Sequence, residues 1–226
     1  HPSAQYNYKI YPESLRNKLL ERLDELGIPI LITGSNNKID LQIKKEIPKS
    51  SNIYNFIGKT TLEEYFALSQ LSLAYIGMDT LNMHIAASQN KRIFAIFGPT
   101  KLSMWSPWSN ILQKAAKNNE PMQSYDNITI FQSSSPCTVC GGVGCGSNHG
   151  KNEFHYVVTP EEIVDAYINS NRALFDARGN FMKDYDAAKV LGISPAALDE
   201  RMDRISKRDR ANIEFGEFVP YQPSRD

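Results

Sequence analysis

Cysteine is nearly missing from this chain. Three occur in 226 residues, all between Cys137 and Cys145. Such a set excludes a disulfide framework and suits a reducing compartment or a metal. Net charge is also missing: the formal value is zero, which offers nucleic acid or an anionic surface no bulk attraction. No apolar run approaches the roughly 20 residues that cross a bilayer. No leader segment is legible, and a cytoplasmic protein is expected. The chain opens on His1-Pro2-Ser3 rather than on methionine, so sequence upstream is expected. Internal repeats are lacking too. What is present is ordinary: 41% hydrophobic and 22% charged residues place the chain among soluble globular proteins. Its length suffices for one large domain, or one domain with an appendage.

The apolar pattern alternates between helix and strand. Pro12 to Leu26 predicts an amphipathic helix, with Leu15, Leu19, Leu20, Leu23 and Leu26 in one stripe and Gly27 as its stop. Ile28 to Thr33 reads as a buried strand, followed by the turn Gly34-Ser35-Asn36-Asn37. Ile39 to Ile47 reads as a short helix ended by Pro48, and Asn52 to Ile57 as the next strand. Thr60 or Thr61 caps a helix through Ser69, with Glu63 and Glu64 at its positive end. Leu73 to Gly77 and Ile93 to Phe97 are strands flanking a small-residue helix, which makes one βαβ unit of a parallel sheet. Asn127 to Phe131 predicts another strand. Tyr156 to Val158 leads into Thr159-Pro160-Glu161-Glu162, which opens a helix to about Arg172. The order argues for an α/β fold, a doubly wound parallel sheet over residues 1–175. A small helical appendage, a hairpin and an extended tail, then occupies 176–226.

In open α/β sheets, ligands bind at the carboxyl ends of strands. Asp79, Thr80, Asn82 and His84 lie there, where a strand hands over to a helix. Helix-opening amides attract anions. Thr80 can add a hydroxyl. Asp79 serves either a ligand's donor groups or the helix cap. His84, one turn on and on the face of Thr80, is either a satisfied polar group or a ligand contact.

Met78-Asp79-Thr80-Leu81-Asn82-Met83-His84-Ile85-Ala86-Ala87 followed by Phe97-Gly98-Pro99-Thr100 resembles the C-terminal domain of the ADP-heptose:lipopolysaccharide heptosyltransferases, glycosyltransferase family 9. His1-Pro2-Ser3-Ala4, Tyr8-Lys9-Ile10-Tyr11-Pro12, Thr33-Gly34-Ser35, Trp105-Ser106-Pro107 and Thr159-Pro160-Glu161-Glu162-Ile163 resemble the family in the same order, over residues 1–172. The resemblance implies one Rossmann-like half of a two-domain GT-B enzyme. That half holds a nucleoside-diphosphate sugar, an ADP-sugar by the same implication, whose sugar passes to a sugar or protein hydroxyl. It also implies that Lys9 sits at the phosphates and stabilises the leaving group, the chemistry that glycosyl transfer demands. The family's carboxylate base belongs to the other half and has no counterpart in these residues. Taken alone, the chain is expected to bind a donor and to transfer poorly. Where the family carries glycine, allowing close backbone approach, Leu81 stands here. The donor-binding set is Lys9, Thr60, Asp79, Thr80, His84 and Thr100. Thr60 and Thr61 either line the nucleotide pocket or cap their helix, and Thr100 closes a turn where phosphate or sugar would lie. No metal is expected for catalysis.

Cys137-x-x-Cys140-x4-Cys145 with His149, among Gly141, Gly142, Gly144 and Gly146, has spacing for a structural zinc. Iron is the alternative, because related autotransporter heptosyltransferases carry an iron-binding cysteine motif. The other reading is a reduced, glycine-rich loop. Residues 185–205 resemble a bacterial helix-turn-helix. Asp199, Glu200 and Asp203 offset Arg201 and Arg204, so DNA is not the expected partner. A hairpin packing on the sugar domain, a partner chain or a second copy is. The competing function is therefore a non-catalytic Rossmann-like scaffold whose tail mediates assembly or nucleic-acid contact.

Overall fold

The computed structural model describes residues 1–98, 100–132 and 158–171. The chain divides into a unit His1–Asn169 and a second, Ser170–Asp226; the fold below is that of the first.

A 3-10 turn over Asn7–Lys9 leads to α1, Glu13–Asp24, with Pro12 at its N-cap. Proline is at home there, because its fixed φ suits a helix start and the missing N–H would have no helical partner. Leu19, Leu20 and Leu23 are buried as their spacing predicts, and Leu15 is half-buried. Arg16 is buried among them, with its guanidinium on Glu46 at 3.0 Å. Gly27, at φ 73°, ends the turn in the left-handed region that glycine enters without strain. Strands β1, Ile30–Ile32, and β2, Ile53–Asn55, pair in parallel around α2, Lys38–Glu46. Asn37 caps α2, its side chain accepting from the Asp40 amide. Thr61 caps α3, Leu62–Leu71, in a reciprocal capping box with Glu64.

The larger sheet runs in the order β3 (Ala74–Met78), β4 (Arg92–Phe97), β6 (Ile128–Gln132), β5 (Met122–Tyr125). The first three are parallel, and β5 is antiparallel to β6. Strand β5 and the four-residue α5, Leu102–Trp105, are absent from the sequence reading, which ran only parallel strands. Helix α4, Leu81–Ser88, joins β3 to β4. Ile93, Phe94, Ala95 and Phe97 of β4 are fully buried, the continuous apolar run expected of a parallel strand covered on both faces. One face packs Ile93, Ala95 and Phe97 with Met83, Ala86 and Ala87 of α4. On the other, Phe94 meets Tyr167 of α6, Pro160–Ser170, edge-on at 5.6 Å. Helices on both faces make the sheet doubly wound. A second apolar cluster, Leu20, Ile32, Ile43, Ile47 and Ile57, serves the β1–β2 pair.

His1 lies along β3. Its amino group donates to the Ile76 carbonyl at 2.9 Å, its carbonyl accepts from the Met78 amide at 3.2 Å, and its ring reaches the Thr33 hydroxyl at 3.3 Å. The opening segment thus runs beside β3 and touches Thr33, the residue just after β1. Of the expected strand at Tyr156 to Val158, only Val158 falls within the described residues. It is buried in a bend, where its carbonyl accepts from the Tyr11 hydroxyl.

Candidate functional site

Three segments converge at the carboxyl ends of β3 and β4. Lys9 ends the 3-10 turn. Asp79 and Thr80 join β3 to α4, and Thr100 follows β4. The Lys9 ammonium donates to Asp79 Oδ2 at 2.8 Å, and the Thr100 hydroxyl donates to the same oxygen at 3.0 Å. All three residues are buried: Lys9 at 9%, Asp79 at 7% and Thr100 at 0% exposure. The Trp105 ring of α5 lies against Lys9, its centroid 5.6 Å from Nζ, within reach of a cation–π attraction.

Burying a lysine and an aspartate removes each from water, and their attraction repays this only with good geometry and further hydrogen bonds. The Thr100 hydroxyl supplies one such bond. A lysine has three N–H donors, so Asp79 uses one and leaves two for a ligand. Asp79 does not cap α4, because Thr80 holds the N-cap position. The Thr80 side chain makes no capping bond; its hydroxyl lies near the Met78 carbonyl and the Tyr75 hydroxyl. The first intrahelical bonds of α4 run from Met83 and His84 to the Thr80 carbonyl. The Leu81 and Asn82 amides therefore precede that ladder, at the end where the helix dipole favours negative charge. Leu81 is 60% exposed, so it adds bulk at this entrance without filling it.

His84 is half-buried one turn into α4. Desolvation lowers its pKa, and the charge of Asp79 opposes that shift. Because the folded value lies below the unfolded one, the contribution of His84 to stability is full above the ordinary histidine value of 6.5 and is lost as pH falls through the lowered folded value. Melting temperatures of the wild type and His84→Gln, followed from pH 7.5 down to 5.5, are therefore expected to differ by a gap that changes in this window, with the wild type losing more on acidification. Parallel curves would rule this out.

The structure thus brings together Lys9, Asp79, Thr80, Thr100 and, electrostatically, His84. Thr60 is half-buried at the end of the β2–α3 loop, outside the hydrogen bonds that join the cluster among the described residues; Thr61 beside it does the capping. Cys137, Cys140, Cys145 and His149, and all of residues 176–226, lie outside the described residues. Among the described residues no group of three metal-ligating side chains occurs, and no helix is long and apolar enough to cross a membrane. A cleft of about 400 Å³ opens beside the Lys9 segment, lined by Asn7, Ile10, Arg16, Lys38, Gln42 and Glu46 among others. No cluster residue lines it, so the site is assigned to the converging polar groups instead. The sequence reading gave no role to Trp105 or Gln132. The Trp105-Ser106-Pro107 motif was the signal available for the first.

The family model of glycosyltransferase family 9 (heptosyltransferase) matches residues 1–134. This chain belongs to glycosyltransferase family 9. Among its family 9 relatives, lipopolysaccharide heptosyltransferase 3 of Escherichia coli K12 is 30% identical over 125 residues, 54% of this chain and 36% of the relative. Lipooligosaccharide heptosyltransferase 2 of Haemophilus influenzae is 30% identical over 114 residues, 48% of this chain and 33% of the relative. The chain spans about a third of the length of these curated relatives. The fold resembles that of E. coli ADP-heptose lps heptosyltransferase II, with a TM-score of 0.52 at 18% identity, covering 76% of this chain and 46% of that one. It also resembles E. coli heptosyltransferase WaaC solved with ADP, with a TM-score of 0.55 at 12% identity, covering 75% and 42%. A match to somewhat under half of each of these solved heptosyltransferase chains accords with one Rossmann-like half of the GT-B arrangement.

Proposed function

We propose that this domain holds the nucleoside-diphosphate sugar of a heptosyltransferase-like enzyme, an ADP-sugar by analogy with its relatives, whose sugar passes to a hydroxyl acceptor. The observation that carries this reading is the convergence of Lys9, Asp79 and Thr100 beside the amides that open α4. Diphosphate departure builds negative charge on phosphate oxygens, and fixed donors aimed at that charge lower the barrier. The two remaining N–H bonds of Lys9, the Leu81 and Asn82 amides and the Thr80 hydroxyl are such donors. The acidic general base is expected from the opposing half of the cleft. A structural zinc or iron on Cys137, Cys140, Cys145 and His149 is a separate part of the proposal, open to metal analysis of the purified chain.

Titration calorimetry with ADP tests the site. The wild-type chain is expected to bind, and Lys9→Ala or Thr80→Ala to weaken binding about 10- to 100-fold, the range for a lost hydrogen bond to a charged group. No binding by the wild type, or equal binding by all three, would refute the reading. A null result would instead favour the scaffold alternative, for which the presence of Leu81 speaks.

A further inference from the structure

Gln132 is the last residue of β6 and stands in register with Phe97, the last of β4. Its side chain is buried at 2% exposure. The amide nitrogen donates to the Gly98 carbonyl at 3.0 Å and to the Thr100 carbonyl at 2.7 Å. A carboxamide has two N–H bonds, and both are spent on one turn. Pro99 lies between the two carbonyls in sequence and has no N–H of its own to offer. The turn is thus held from the neighbouring strand. The carboxamide oxygen of Gln132 is buried and has no partner among the described residues, so the donor side of this group is what the position uses. An apolar side chain of similar volume would fill the space and hold neither carbonyl.

The bonds continue in one line. Gln132 fixes the backbone of Thr100, the Thr100 hydroxyl donates to Asp79 Oδ2, and the same oxygen takes the Lys9 ammonium. We propose that Gln132 is a positioning residue of this site: it touches no ligand itself, and through Thr100 and Asp79 it sets where the Lys9 ammonium presents its free N–H bonds to a diphosphate. The proposal rests on the donor-binding reading for its ligand, though not for the Lys9 geometry.

The test uses the full 226-residue chain with Gln132→Leu, Thr100→Val and the double variant. Lysine side-chain NMR reports the Lys9 ammonium, assigned by the signal that Lys9→Arg removes. Calorimetry reports ADP affinity. Gln132→Leu is expected to shift the Lys9 signal and weaken ADP about ten-fold, the effect of one good hydrogen bond. Thr100→Val is expected to do the same, and the double variant to be no weaker than the worse single, because both act along one path. An unchanged Lys9 signal in folded Gln132→Leu, or losses that multiply in the double variant, would overturn the proposal. If the Lys9 signal moves as expected while the wild type ignores ADP, the positioning stands and the donor reading falls. Should Gln132→Leu fail to fold, Gln132→Glu serves. Facing two carbonyls, its carboxyl could donate to one of them and only while protonated, so the Lys9 signal is expected to change with a pH step absent from the wild type. No such step would also overturn the proposal.

Discussion

Asp79→Ala is expected to remove about 3–5 kcal/mol of folding stability, the loss seen when one partner of a buried ion pair is deleted. The reason is the charge left behind. The Lys9 side chain is 11% exposed and that of Asp79 4%, so the ammonium would stay largely out of water with no counter-charge, and the fully buried Thr100 hydroxyl would lose its acceptor. Urea unfolding of the two chains measures the difference. The double variant Lys9→Met with Asp79→Leu separates the two roles of the pair. Replacing both ions by apolar groups is often neutral, so this variant is expected to regain most of the stability and none of the ADP binding. A loss under about 1 kcal/mol for Asp79→Ala, the range of an exposed pair, would mean that the pair is solvated and the cluster loosely held.

Gly77→Val is expected to destabilise by about 3 kcal/mol, the upper part of the range for overpacking a filled core. A Cβ at this position would overlap the His1 carbonyl oxygen and lie 2.8 Å from the Tyr75 hydroxyl oxygen. The first obstacle is backbone, which does not yield by a rotamer change. The second matters for the site, because the buried Tyr75 hydroxyl donates to the Met78 carbonyl at 2.9 Å and lies 3.4 Å from the Thr80 hydroxyl. Burial also raises the Tyr75 pKa well above its usual value, so it remains a donor at any ordinary pH. Displacing it would loosen the entry to α4, and weaker ADP binding is expected alongside the lower urea midpoint. Wild-type stability in this variant would show that the opening segment does not pack against β3 in solution.

Much of this arrangement was legible in the residues. The unit from β3 through α4 to β4 announces itself by two apolar runs around small residues, and Thr61 with Glu64 spells a helix start. The family resemblance put Lys9, Thr60, Asp79, Thr80, His84 and Thr100 in one set, of which Lys9, Asp79 and Thr100 share hydrogen bonds and Thr60 stands apart. That Lys9 would pair with Asp79, 70 residues away, is a tertiary fact that no local pattern encodes. Arg16 was hidden for the same reason, since a charge beside a leucine stripe reads as solvated until Glu46 is known to face it. Strand β5 escaped because Met122-Gln123-Ser124-Tyr125 is short and buries only Tyr125. Its signal was the tight turn at Asp126, which adopts φ 54°, a conformation that aspartate tolerates better than most residues. Helix α5, at four residues, is too short to show a period. Gln132 looked like polar punctuation after an apolar strand, and only its bonds to Gly98 and Thr100 reveal its use.

The reach of the Lys9–Asp79 contact has a bearing on how the polypeptide matures. Loops of this span close late, after helices and neighbouring strands have assembled. An excised peptide carrying residues 73–100 would possess the aspartate and the threonine yet grip nothing. Whatever molecule occupies the cluster selects finished copies over partly folded ones, and mass action then shields those copies from unravelling and from proteases.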